Sequence, residues 1–168
     1  MNYTSSEAGK LLKKLMEEQN ALLERERQSR EFVASVGEDL ESVRPLYDYS
    51  ETQEKLNDLE RKIRQVKHAI NLFNLHHEVP GFSMTVDQML VYIPQLTAKK
   101  QKLFEMAGRL PKVRDNSFGH SSNFIDYRYA NYDVEKAKED FSAVSDELSR
   151  AQTALDLLNT TETLEIDF

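Results

Sequence analysis

The chain has no cysteine, so disulfides, thiolate metal sites and cysteine nucleophiles are excluded, and the composition suits a reducing compartment. Glycine is nearly as scarce. Five glycines are scattered through 168 residues, which leaves no glycine-rich loop whose backbone N–H groups could cradle a phosphate. Long apolar runs are missing too. The opening "MNYTSSEAGKLLKKLMEEQN" contains no apolar core of signal-peptide length, and no stretch approaches the roughly 20 apolar residues of a spanning helix. A soluble, cytoplasmic protein is therefore expected.

Positive charge is in deficit: 22 Lys+Arg stand against 29 Asp+Glu, for a net charge of −7. That balance argues against wholesale binding along a phosphate backbone. Catalytic and metal spacings are absent as well. The four histidines are His68, His76, His77 and His120. Adjacent His76 and His77 would point about 100° apart on a helix, so they do not clamp one ion as an i, i+4 pair does. Glu78 adds a carboxylate without completing an HExxH pattern, and no Ser-His-Asp arrangement can be read. No catalytic residue, metal or cofactor is expected. A hydrolase using Asp, Glu and His groups on the turn from His76 to Glu78 is a third reading, behind a structural role and a nucleic-acid binder.

What the chain does have is periodicity. Charged residues make up 30% and hydrophobic residues 39%, and the apolar ones recur at helical spacing, which favours a folded helical protein over a disordered one. Leu12, Leu15, Leu22, Val33, Val36 and Leu40 predict a first helix over about residues 5 to 42, interrupted by polar Gln19, Glu26 and Ser29. Pro45 breaks it. Ser50 with Gln53 has capping-box spacing for a second helix, whose seam is Leu56, Leu59, Ile63, Val66, Ile70 and Phe73. Pro80 and Gly81 signal a turn. Thr85 with Gln88 caps a third helix with Met84 and Met89 as a hydrophobic staple, its seam running Val86, Met89, Ile93, Leu96, Leu103, Ala107 and Leu110. Pro94 lies inside it and should kink the helix or open its ladder near Leu90.

Asp133 is the expected N-cap of a last helix of about 27 residues, a rod of roughly 40 Å. Its seam is Val134, Ala137, Phe141, Val144, Leu148, Ala151, Leu155 and Leu158. Two segments depart from this spacing. Residues 118 to 131, around Ile125, Tyr127 and Tyr129, and the alternating tail 163 to 168 read as short strands, pairing with each other or with a neighbouring subunit. The expected fold is mainly α: one domain over residues 1 to 168, with four long antiparallel heptad-patterned helices and a short β element.

The order of elements, with "RKIRQVKHAINLFN", "MTVDQMLVYIPQLTAKKQKL" and "SSNFIDYRYANYDVEKAKEDFSAVSDELSRAQTALDLLNTTETLE", resembles the uncharacterised bacterial family sometimes labelled septicolysin. Most specific are Asp133-Val134 opening the last helix and Asn159-Thr160-Thr161 closing it. Ile70-Asn71 with Asn74 resembles that family's second-helix ending. The third helix departs from it, carrying Tyr92, Ile93, Pro94 and Gln95 where the family tends to have an Arg-Asp pair. The resemblance implies a helical, oligomeric protein with a small β element and supplies no reaction. Its label suggests a pore-forming cytolysin.

Candidate binding residues fall into two groups. Asn71, Asn74 and Asn159 lie near helix ends, where amides cap backbone groups or hold a polar ligand. Between residues 99 and 128, seven basic residues (Lys99, Lys100, Lys102, Arg109, Lys112, Arg114 and Arg128) stand against three acidic ones. Phe118, Phe124, Tyr127, Tyr129 and Tyr132 lie beside them. On a strand Tyr127 and Tyr129 share one face and Arg128 takes the other. Tyrosine and arginine are enriched in interface cores, and cationic groups beside aromatic faces also suit single-stranded nucleic acid or a nucleotide. The leading expectation is a non-enzymatic homo-oligomer with a structural or interaction role; a nucleic-acid or nucleotide binder is second, and no membrane partner is expected.

Overall fold

A computed structural model describes residues 1–115 and 126–168. The chain is mainly helical with two small antiparallel sheets, in the order β1 (Asn2–Thr4), α1 (Ser5–Ser29), α2 (Leu40–Val43), α3 (Tyr49–His76), α4 (Val86–Ala107), β2 (Lys112–Arg114), β3 (Tyr127–Tyr129), α5 (Val134–Thr161) and β4 (Thr163–Glu165). Its contacts divide into two compact units: Met1–His77 with Leu157–Phe168, and Glu78–Asp156.

In the first unit α1 and α3 run in opposite directions. Gln19 donates to Glu60 at 3.4 Å, while Glu26, seven residues further along α1, accepts from Gln53 at 2.7 Å and from Tyr47 at 2.8 Å. The seam is apolar at one end, with Ala8, Leu15, Leu56, Ile63, Val66 and Phe73 buried, and turns polar toward Ser29. Partial burial first, then the bond to the Glu26 carboxylate, raises the Tyr47 hydroxyl above its ordinary range. The capping box at Thr4 and Glu7 starts α1.

Three expectations are corrected here. The first helix does not reach residue 42; it stops at Ser29. Val33 and Val36 find no partner and are 93% and 108% exposed, so nothing repays helical order through them. Gly37, at φ +90°, sits in a turn closed by the bond from Glu38 N–H to the Ser35 carbonyl. The cap of α3 is Asp48, whose carboxylate accepts from Glu51 N–H at 2.9 Å, rather than Ser50. The tail strand does not pair with the 127–129 strand. It pairs with β1, in the register Asn2–Glu165, Tyr3–Leu164 and Thr4–Thr163.

In the second unit, Val79 N–H donates to the Met84 carbonyl across a turn containing Gly81 at φ +80°, and the Thr85–Gln88 capping box then starts α4 as expected. Pro94 lies within α4. Its ring nitrogen has no hydrogen to give the Leu90 carbonyl. The helix ends at Ala107, so Leu110, expected on its seam, lies beyond it and is 66% exposed. Asp133 caps α5 as expected, its carboxylate accepting from Glu135 and Lys136 N–H at 2.9 and 3.1 Å. α4 and α5 are antiparallel. Tyr92 donates to Glu147 at 2.5 Å and Phe104 meets the Phe141 ring at 5.8 Å. The buried residues of this unit are chiefly Val86, Met89, Leu96 and Leu103 of α4 and Val134, Ala137, Val144, Leu148 and Ala151 of α5.

Candidate functional site: a basic-aromatic hairpin

The strand expected over residues 118 to 131 is present at its end, as β3; Phe118, His120, Phe124 and Ile125 lie outside the described residues. β3 pairs with β2, a strand the sequence reading missed, in the register Lys112–Tyr129, Val113–Arg128 and Arg114–Tyr127. Backbone bonds from Ala130 N–H to the Pro111 carbonyl at 3.0 Å and from Asp115 N–H to the Asp126 carbonyl at 2.8 Å extend the pairing at both ends. The Tyr132 hydroxyl donates to the Met106 carbonyl at 2.9 Å and fastens the base of the hairpin to the last turn of α4.

Alternation then sorts the side chains. Lys112, Arg114, Tyr127 and Tyr129 share one face. The two tyrosine rings lie 6.5 Å apart, and the Lys112 ammonium sits 4.1 Å from the centre of one and 5.5 Å from the other, within cation–π range. Neither tyrosine is buried: Tyr127 is 45% and Tyr129 62% exposed. On the other face Arg128 makes an ion pair with Asp115 at 3.1 Å. The sequence reading counted Asp115 only among the three acidic residues of this segment and did not foresee the ion pair. Beside the hairpin is an open cleft of about 620 Å³, lined by residues that include Arg109, Val113, Arg128, Asn131 and Tyr132.

The structure thus gathers Lys112, Arg114, Tyr127, Arg128 and Tyr129 on one hairpin, with Arg109 at the adjoining cleft. Lys99, Lys100 and Lys102 lie on α4 instead and do not line that cleft. Asn71 and Asn74 are in the last turns of α3 and Asn159 is in the last turns of α5, all in the first unit. The groove beside α3 in that unit is lined by none of the three. His76 and His77 each donate Nδ1–H to the carbonyl four residues back, Leu72 and Phe73, at 2.7 and 3.0 Å, and His77 stacks on Phe73 at 3.9 Å. They serve the helix end; among the described residues no cluster of three metal-ligating side chains occurs.

A second surface was not foreseen. Outside the buried stripe of α4, Leu90, Val91 and Phe104 are 49%, 59% and 60% exposed. The signal lay in "QMLVYIP", which carries more apolar residues than one seam can use. Among the described residues no helix is long and apolar enough to cross a membrane.

No protein-family model matches the chain, and no curated protein does. A solved crystal structure of a functionally unknown conserved protein from Corynebacterium diphtheriae is similar, with a TM-score of 0.63 at 16% identity, over 98% of this chain and 100% of that one. The likeness shows a shared fold.

Proposed function

We propose that this chain is a non-enzymatic interaction protein that self-associates through the outer face of α4 and the aromatic hairpin. The observation that carries the reading is that α4 exposes large apolar side chains outside its buried stripe. Its Val86, Met89, Leu96 and Leu103 side is buried, while Leu90 and Val91 stand exposed, where burial against another copy would gain about 25 cal/mol per Å². The proposed kinship with the septicolysin family points the same way, through oligomerisation.

The test is sedimentation velocity of Leu90→Lys with Val91→Lys, alongside the parent chain. The account expects a lighter species with unchanged helical circular dichroism. A variant that keeps the parent's sedimentation coefficient overturns it.

A second reading, a binder of single-stranded nucleic acid or a nucleotide, is favoured by one observation, the Lys112 ammonium poised over two half-exposed tyrosine rings with Arg114 beside them. Phosphate contacts release counterions, so its binding to labelled single-stranded RNA or DNA must weaken steeply with salt. Absence of binding at low salt removes it.

A further inference from the structure

The sheet in the first unit has a free edge. Met1 N–H donates to the Ile166 carbonyl at 3.1 Å and Ile166 N–H returns a bond to Met1 at 3.0 Å. Hydrogen-bonded pairs alternate in an antiparallel ladder, so Leu164 faces Tyr3 in the same way. The backbone N–H and C=O groups of Thr163 and Glu165 therefore point away from β1. Among the described residues they have no hydrogen-bond partner. Pairing removes such edges from solvent, and an unpaired edge is a template for another strand.

What lies beyond that edge is a groove of about 440 Å³ between β4 and the last turns of α3. Its walls include His68, Ala69, Leu72 and His76 on the helix side and the chain from Thr163 to Asp167 on the strand side. Leu72 is 43% exposed there, whereas Leu164 and Ile166 of the strand are buried at 8% and 2%. Side chains on the inner face of an added strand would lie beside Leu164 and Ile166 and meet Ala69 and Leu72. Those on its outer face would lie beside Glu165 and Asp167, both exposed.

We propose that this groove takes an extended peptide segment of a partner protein by strand addition to β4, the segment alternating apolar residues with lysine or arginine. Main-chain bonds to Thr163 and Glu165 supply the attachment, Leu72 and Ala69 receive the apolar residues, and the carboxylates of Glu165 and Asp167 select the basic ones. A second copy of this chain paired in the register centred on Glu165 is a poor occupant. Antiparallel self-pairing about Glu165 sets that carboxylate against its own copy, and like charges directly opposite are destabilising. This surface is separate from the α4 face and the hairpin, so the proposal stands or falls independently of them.

The test uses the full chain with two labelled peptides, one alternating valine with lysine and one alternating valine with glutamate, followed by titration and by backbone amide exchange. The basic peptide is expected to bind at least about tenfold more tightly than the acidic one and to slow exchange at the Thr163 and Glu165 amides, which exchange freely without it. Glu165→Pro removes only an outward-facing N–H, so it should abolish binding while leaving the β1 pairing and helical content intact. Glu165→Lys with Asp167→Lys should reverse the preference between the peptides. No binding by the basic peptide up to about 1 mM, equal binding of both peptides, or undiminished binding by Glu165→Pro overturns the proposal. So does amide protection that appears with rising protein concentration alone, since that assigns the edge to a second copy.

Discussion

Tyr92 shows how one side chain holds α4 against α5. Its hydroxyl gives a hydrogen to the Glu147 carboxylate at 2.5 Å, and that bond first, then partial burial, raises the phenol above its ordinary value of 10.0. A group whose folded pKa is raised stabilises the fold fully below its unfolded pKa. The contribution is lost as pH rises through the folded value. Tyr92→Phe should therefore lower stability by about 1 kcal/mol at neutral pH, equivalent to roughly 3 °C in Tm for a chain of this size. The gap between parent and variant should close in strongly alkaline buffer. Thermal melts followed by circular dichroism at neutral pH and above the tyrosine range measure both effects; a neutral-pH gap of zero means that the bond contributes nothing.

At the scale of elements, the hairpin carries the prediction that separates the two functional readings. Tyr127→Ala with Tyr129→Ala removes the exposed aromatic face that another copy would cover, so the assembly should shift to smaller species, while the isolated fold should change little because the rings are 45% and 62% exposed. Arg128→Ala should leave the assembly's size unchanged, since Arg128 lies on the opposite face beside Asp115. Light scattering on the three proteins decides it, and an unchanged mass for the tyrosine pair moves the nucleic-acid reading ahead. Much of this level was legible in the sequence. The caps at Thr85 and Asp133 and the apolar spacing of α3, α4 and α5 are local signals, and each is sufficient to place its element. The end of α1 was not legible, because Val33 and Val36 keep the spacing without any partner to bury them. β1 and β2 were missed for another reason: three residues are too few for alternation to register, and each is ordered only by its pairing, β1 with a strand at the far end of the chain and β2 with β3. Exposure of Leu90 and Val91 was equally hidden, since periodicity locates stripes without saying which stripe finds a partner.

For the whole molecule, the account rests on surfaces left uncovered within a single chain. Leu90, Val91 and Phe104 on α4 and the tyrosine pair on the hairpin would each gain by burial, and a stable interface needs about 800 Å² per partner. The similar fold of the Corynebacterium diphtheriae protein brings no function with it, so the proposal depends on what this chain does in solution. The most direct measurement is the mass of the intact chain by size exclusion with multi-angle light scattering at micromolar concentration. Self-association predicts at least twice the 19.5 kDa of one chain, falling as the sample is diluted or as Leu90 and Val91 are replaced by lysine. A constant 19.5 kDa across the concentration range contradicts it.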